Sequence, residues 1–183
     1  VSCDLRGFTK FSRLTDSKAL IRLMGEYYEG VGAQVAKRGA TIKDYAGDGV
    51  LMLVGAPLPV PDAAAEALAL AADIRLAVRA VLQGWQRADA PLGIGIGMAT
   101  GPITVGALGS NSRLEYMAIG DAVNLAARFG SLAPDGEIWF DERTGSLARL
   151  KQAHASAVAQ VKGIGEVRYL TYAGDYMSAA AEA

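Results

Sequence analysis

Apolar positions change their period several times along the chain, and each change marks an element. Residues 1–3 form the stub of an apolar strand that leads into the turn Asp4-Leu5-Arg6-Gly7-Phe8-Thr9. From Ser17 to Lys37, the residues Leu20, Leu23, Met24, Tyr27, Tyr28 and Val31 recur at helical spacing, and Gly39 is a natural stop. Met24 and the tyrosines on this face read as packing. Residues 40–55, ATIKDYAGDGVLMLVG, are two apolar runs joined at an acid between Gly47 and Gly49, which predicts a β-hairpin with Asp48 at its tip. Pro57, Pro59 and Pro61 then break the chain, Asp62 offers a helix N-cap, and an Ala-rich helix is predicted to run to about Arg87. Residues 92–100, LGIGIGMAT, alternate glycine with larger apolar residues, as a strand does when another element packs closely on its glycine face.

Two short strands, 102–108 and 114–118, flank the turn signal Gly109-Ser110-Asn111. Asp121 is the expected cap of a helix that holds Val123, Asn124, Leu125, Ala127 and Arg128 and ends near Gly130. A strand at 137–140, a short helix to about Leu150 and a hairpin around Lys162-Gly163-Ile164-Gly165 complete the pattern. The order β-α-β-β-α-β, with strands and helices appended, predicts an α+β fold of ferredoxin-like type.

Composition narrows this without changing it. The 183 residues, 51% of them hydrophobic, suffice for one domain with a substantial core, and residues 1–183 are read as that single domain. With 18 basic and 19 acidic residues the chain has no general attraction for nucleic acid or an anionic membrane, and a nucleic-acid partner is not expected. No apolar run approaches a membrane span. A single cysteine, Cys3, fits a reducing compartment, so a cytoplasmic location is expected. The chain starts at Val1 within a strand-like stretch and is read as part of a longer protein, whose upstream regulatory domain would lie outside it. His154 reads as a surface residue, Cys3 as a buried strand residue, and Trp85 and Trp139 as packing.

The candidate chemistry collects at two acids and one helix. Asp4 and Asp48 fall on turns at the ends of strands that would be central neighbours. Oxygen ligands of this kind suit Mg²⁺ or Mn²⁺, which take one or two carboxylates and complete their shell with water and substrate phosphates. Asn124 and Arg128, four apart, share one helix face; the guanidinium offers a planar fork to a phosphoryl oxygen, and the amide can orient a hydroxyl. Lys162, in its glycine-rich turn, is either a further phosphate donor or an ordinary hairpin lysine.

The segments DLRGFT (4–9), GDG (47–49), GDAVNLAAR (120–128) and VKGIGE (161–166) resemble the four signature regions of the class III adenylyl and guanylyl cyclase catalytic domain, in the family's order and approximate spacing. The resemblance implies a head-to-tail homodimer with two shared active sites, each converting a nucleoside triphosphate to a 3′,5′-cyclic nucleotide and pyrophosphate. It implies that Asp4, Asp48 and the Leu5 carbonyl hold two divalent metal ions, Mg²⁺ or Mn²⁺, and that the amides of Gly7, Phe8 and Thr9 cradle the phosphates. From the partner chain, Asn124 would position the ribose, Arg128 would stabilise the α-phosphate and Lys162 would hold the terminal phosphates.

The chain departs from the family at the base-selecting positions, which fall on Asp44 and Met117. Adenylyl members carry a Lys at the first; here Lys43 stands one residue out of step, and a strand residue shifted by one points to the opposite face unless a bulge reorients it. Asp44 can accept from either purine, and Met117 adds only apolar contact. ATP is the expected substrate, with GTP, or a catalytically silent regulatory module, as the alternatives.

Overall fold

The computed structural model describes residues 1–110, 113–150 and 155–172; His154, Asn111 and the Ala-rich tail lie outside the described residues. Strand β1 (Ser2–Arg6) is followed by α1 (Phe8–Arg13), α2 (Ser17–Lys37), β2 (Thr41–Ala46), β3 (Gly49–Leu53), α3 (Ala63–Gln83) and β4 (Gly93–Met98). Then come β5 (Thr104–Ser110), β6 (Arg113–Ile119), α4 (Asp121–Leu132), β7 (Ile138–Phe140), α5 (Glu142–Leu147), β8 (Ala155–Val161) and β9 (Gly165–Tyr172). The main sheet has the order β2-β3-β1-β4-β7-β9-β8, and β5 and β6 form a separate hairpin. Its first four strands are antiparallel neighbours in the ferredoxin-like order expected from the sequence. Strand β7 joins β4 in parallel, and β9 and β8 extend the sheet.

Because side chains alternate along a strand, each central strand presents one set of residues to each face. Cys3 and Leu5 of β1, Val50 and Met52 of β3, Ile94, Ile96 and Met98 of β4, and Ile138 and Phe140 of β7 meet one core. Helices α2 and α3 complete it with Leu23, Tyr27, Val31 and Val35, and with Leu68, Leu70, Ile74, Val78 and Leu82. Asp16 caps α2, its carboxylate accepting from the Lys18 and Ala19 amides. The opposite face carries Ser2, Asp4 and Arg6 of β1 and the glycines of β4. There α4 lies, with Phe129 and Ala133 packed on Trp139 and Val161.

The glycine alternation in β4 makes this second layer possible. A Cβ at Gly97 would fall on the Gly130 amide and the Ala126 carbonyl of α4, so the helix backbone rests directly on the strand. Gly130 repeats the device toward β1: a Cβ there would lie 3.0 Å from the Ser2 carbonyl. Its role is therefore close approach. The helix ends two residues past Gly130, at Leu132, and its N-cap is Gly120 in place of the expected Asp121, which is the first helical residue.

Three other expectations are corrected. Asp4 is not on a turn: it lies within β1, paired with Gly49 and Gly95, and the turn begins only at Gly7 (φ 76°), where a Cβ would strike the Pro91 carbonyl. Asp62 stands at the N-cap of α3 in a left-handed conformation from which its carboxylate caps nothing. That helix stops at Gln83, four residues short of Arg87. Among the described residues no helix is long and apolar enough to cross a membrane.

Two glycine substitutions should have opposite signs in thermal or urea unfolding. Gly97→Ala must push α4 off the sheet and is expected to cost about 3 kcal/mol or more. Gly25→Ala, on an open face of α2 with nothing within 4 Å, is expected to stabilise by about 0.5–1 kcal/mol.

Candidate active site

Asp4 and Asp48 are brought together by the pairing of β1 with β3. The Leu5 amide donates to the Asp48 carbonyl at 3.1 Å. In an antiparallel ladder the N–H and C=O of one residue point the same way, so the Leu5 carbonyl also faces the Asp48 turn. Asp4 is three-quarters buried, and its carboxyl is pushed up from 3.8 to about 6, by burial first and by the charge on Asp48 second. Arg6, with Nη1 3.5 Å from Asp4 Oδ2, pulls it partly back. Two carboxylates that repel each other, beside a carbonyl oxygen, form a donor set for a hard divalent cation. Among the described residues no group of three or more His, Cys, Asp or Glu side chains is placed to hold a metal. Gly7, Phe8 and Thr9 follow at once, with Gly7 as the N-cap of α1.

The turn that carries Asp48 is held from beneath. Tyr27 Oη donates to the Asp48 carbonyl at 3.3 Å, and Tyr28 Oη donates to the Gly47 carbonyl at 2.5 Å. Tyr27 also contacts Cys3 Sγ at 3.3 Å. Helical periodicity identified both rings as packing but gave no sign of their hydroxyls. The one available signal was the presence of phenols on an otherwise aliphatic face. Cys3 is fully buried, and that burial pushes its thiol up to about 11, so it stays protonated and unreactive at neutral pH.

Asn124 and Arg128 project from the exposed side of α4, away from the sheet. Among the described residues neither is hydrogen-bonded or ion-paired to Asp4 or Asp48, and the charges acting on Asp4 are those of Asp48 and Arg6. Lys162 is exposed in the turn between β8 and β9. Its neighbours Gly163 and Ile164 share a cleft of about 510 Å³ with Asp121, Ala122 and Leu125 of α4. The structure thus brings the acids together with Leu5 and Gly7–Thr9, while Asn124 and Arg128 stand on the exposed side of α4 and the turn that carries Lys162 meets α4 at Asp121, Ala122 and Leu125.

Near Asp44, one of the two positions expected to select the base, the β2–β3 register shifts between Ile42 and Asp44. That β-bulge sits at Lys43. Ile42 pairs with Met52 and Asp44 with Leu51, leaving Lys43 as the extra residue. Its Nζ lies 3.4 Å from Asp44 Oδ2, so these consecutive side chains reach the same side instead of alternating. The Lys43 side chain is 11% exposed and that of Asp44 54%. Strand β6, which carries the half-buried Met117, lies against β2.

A family model described as the adenylate and guanylate cyclase catalytic domain matches residues 2–173. The chain belongs to this family. An adenylate cyclase of Mycobacterium tuberculosis is 34% identical over 135 residues, 74% of this chain and 30% of that protein. The guanylyl cyclase Cya2 superposes with a TM-score of 0.85 at 32% identity, covering 93% of this chain and 88% of that one. The adenylyl cyclase CyaB from P. aeruginosa gives 0.81 at 31% identity, covering 93% and 91%. This cyclase domain spans 20–30% of the length of the curated relatives it matches.

The acid pair of the cyclase domain has a measurable electrostatic cost. Asp4 titrates higher folded than unfolded, so its contribution to stability is full below about 3.8 and is lost as pH rises through about 6. Without divalent cations, Asp4→Asn is expected to stabilise the fold at pH 7.5 by about 1–2 kcal/mol, solvent screening at this partly exposed carboxyl reducing the full effect of the shift. The gain should fade below pH ~4, where both side chains are neutral; melting curves across pH 4–8 check it.

Proposed function

We propose that the domain is a nucleotidyl cyclase acting on ATP, working as a head-to-tail homodimer whose two active sites each draw on both chains. The observation that carries this reading is the division just described. The acids lie together, Asn124 and Arg128 stand exposed on another element, and among the described residues no hydrogen bond or ion pair runs from Asn124 or Arg128 to the acids of the same chain. Membership of the cyclase family supports the chemistry; the relatives named adenylate cyclase support the base.

Asp4 and Asp48, with the Leu5 carbonyl, would hold two divalent cations, Mg²⁺ or Mn²⁺. Bound there, such cations lower the pKa of the ribose 3′-hydroxyl and neutralise the pyrophosphate leaving group. The Gly7, Phe8 and Thr9 amides face the phosphates. From the partner chain, Asn124 orients the ribose, Arg128 sets a fixed positive charge against the α-phosphate, and Lys162 holds the terminal phosphates. A preorganised donor of the Arg128 kind is worth on the order of 3 kcal/mol in the transition state. The 3′-hydroxyl gives up its proton to solvent, its oxygen bonds to the α-phosphorus, the bond from that phosphorus to the bridging oxygen breaks with pyrophosphate leaving, and a 3′,5′-cyclic nucleotide results.

Lys43 enters the base pocket through its bulge. An ammonium donates to adenine N1 while Asp44 accepts from the 6-amino group, and Met117 covers the ring. Paired at 3.4 Å, the two charges keep each other in place. A cytoplasmic site, where nucleoside triphosphates are made and used, completes the reading.

Turnover of ATP, GTP, CTP and UTP in parallel, with Mg²⁺ and then Mn²⁺ and cyclic product read by mass spectrometry, tests the assignment. Cyclic AMP is expected; cyclic GMP alone overturns the base, and no product from a folded dimer overturns the enzyme. Lys43→Met is expected to lower kcat/KM for ATP about tenfold or more. Asp48→Ala and Arg128→Ala should each be nearly inactive alone. Mixed with subunit exchange, they should recover about a quarter of wild-type activity, since half the dimers are mixed and each has one intact site.

A further inference from the structure

Arg6 stands between the two groups of residues. Its Nε donates to the Ala133 carbonyl at 2.9 Å, one Nη donates to the Ser131 carbonyl at 2.9 Å, and the other donates to the Gly130 carbonyl. These carbonyls belong to the last turn and C-cap of α4, where helical bonding leaves acceptors without partners and the dipole is negative. Helix α4 has no basic residue of its own in that turn, so its positive end-charge comes from β1. The side chain reaches there across β4 only because Gly95 is bare: a Cβ at that position would fall on the guanidinium and on the Ala133 carbonyl. The Nη1 that donates to the Ser131 carbonyl also lies 3.5 Å from Asp4 Oδ2, forming an ion pair. The Ser131 hydroxyl, one turn on, donates to the Arg128 carbonyl at 3.1 Å.

We propose that Arg6 is a positioning residue for both halves of the catalytic machinery: it orients the Asp4 carboxylate and anchors the end of α4 from which Arg128 projects. This rests on the head-to-tail reading. In such a dimer the acids of one chain and its α4 serve opposite active sites, so one guanidinium supports two sites at once. Neither contact alone requires arginine; only a planar fork with five donors spans three carbonyls and a carboxylate together.

The complementing pair separates the two roles. In the mixed dimer the Asp48→Ala chain gives only its α4 to the intact site, and the Arg128→Ala chain only its acids. Arg6→Gln in the Asp48→Ala chain is expected to lower kcat about tenfold or more with the Mn²⁺ half-saturation unchanged. The same change in the Arg128→Ala chain should instead raise the Mn²⁺ half-saturation. Arg6→Lys, which keeps the charge beside Asp4 and loses the fork, should rescue the second arm and not the first. In the metal-free single variant, hydrogen exchange at the Ala133 amide, which donates to Phe129, should speed up about tenfold as the last turn frays. An effect in only one arm, identical effects in both, or rescue of both by lysine overturns the proposal. If the parent pair fails to recover, the shared-site reading falls, and unchanged exchange at Ala133 would remove the anchoring role as well.

Discussion

Everything on the catalytic face depends on a helix backbone resting against a strand with no side chains between them. Gly97 on β4 and Gly130 on α4 leave a gap that the two backbones close. Dispersion and the burial of Phe129 and Ala133 then hold α4 at a fixed depth. That depth sets the height at which Asn124 and Arg128 stand above the sheet. It also brings the end of α4 within reach of Arg6, and so within one side chain of Asp4. A bulkier face on β4 would have produced an ordinary helix-on-sheet spacing and separated these groups by the thickness of a side-chain layer.

Most of the fold was legible because its elements obey simple periods. The stripe of Leu23, Tyr27 and Val31, the Gly47-Asp48-Gly49 tip and the glycine alternation from Gly93 to Gly97 each specify one local geometry. The errors came where one residue type serves two purposes. Gly130 looked like a helix stop but is a contact surface, and Asp62 and Asp121 looked like caps but make no capping bond. Asp4 looked like a turn acid because Gly7 follows so closely, but the strand persists to Arg6.

The site was legible in part, for a related reason. Four ordered segments singled out the acids, the α4 pair and Lys162 as candidates, and β1 and β3 do bring the acids together. The bulge at Lys43 was not readable, since a register shift depends on the pairing of β2 with β3 and leaves no mark in local periodicity. The hydroxyl bonds of Tyr27 and Tyr28 and the reach of Arg6 across Gly95 are long-range in sequence, and no spacing rule signals them.

The two tyrosine bonds beneath Asp48 bear on how such a domain can be controlled. Its acidic turn is bolted to α2, one of the two 21-residue helices packed on the sheet, and β1 beside it is an interior strand of that sheet. Neither can slide without breaking the hydrophobic interior. The soft coordinate left to the proposed pair is the seating of one rigid body on the other. A signal that alters that seating by a fraction of a side chain's length would act as a throttle, leaving each chain's fold untouched.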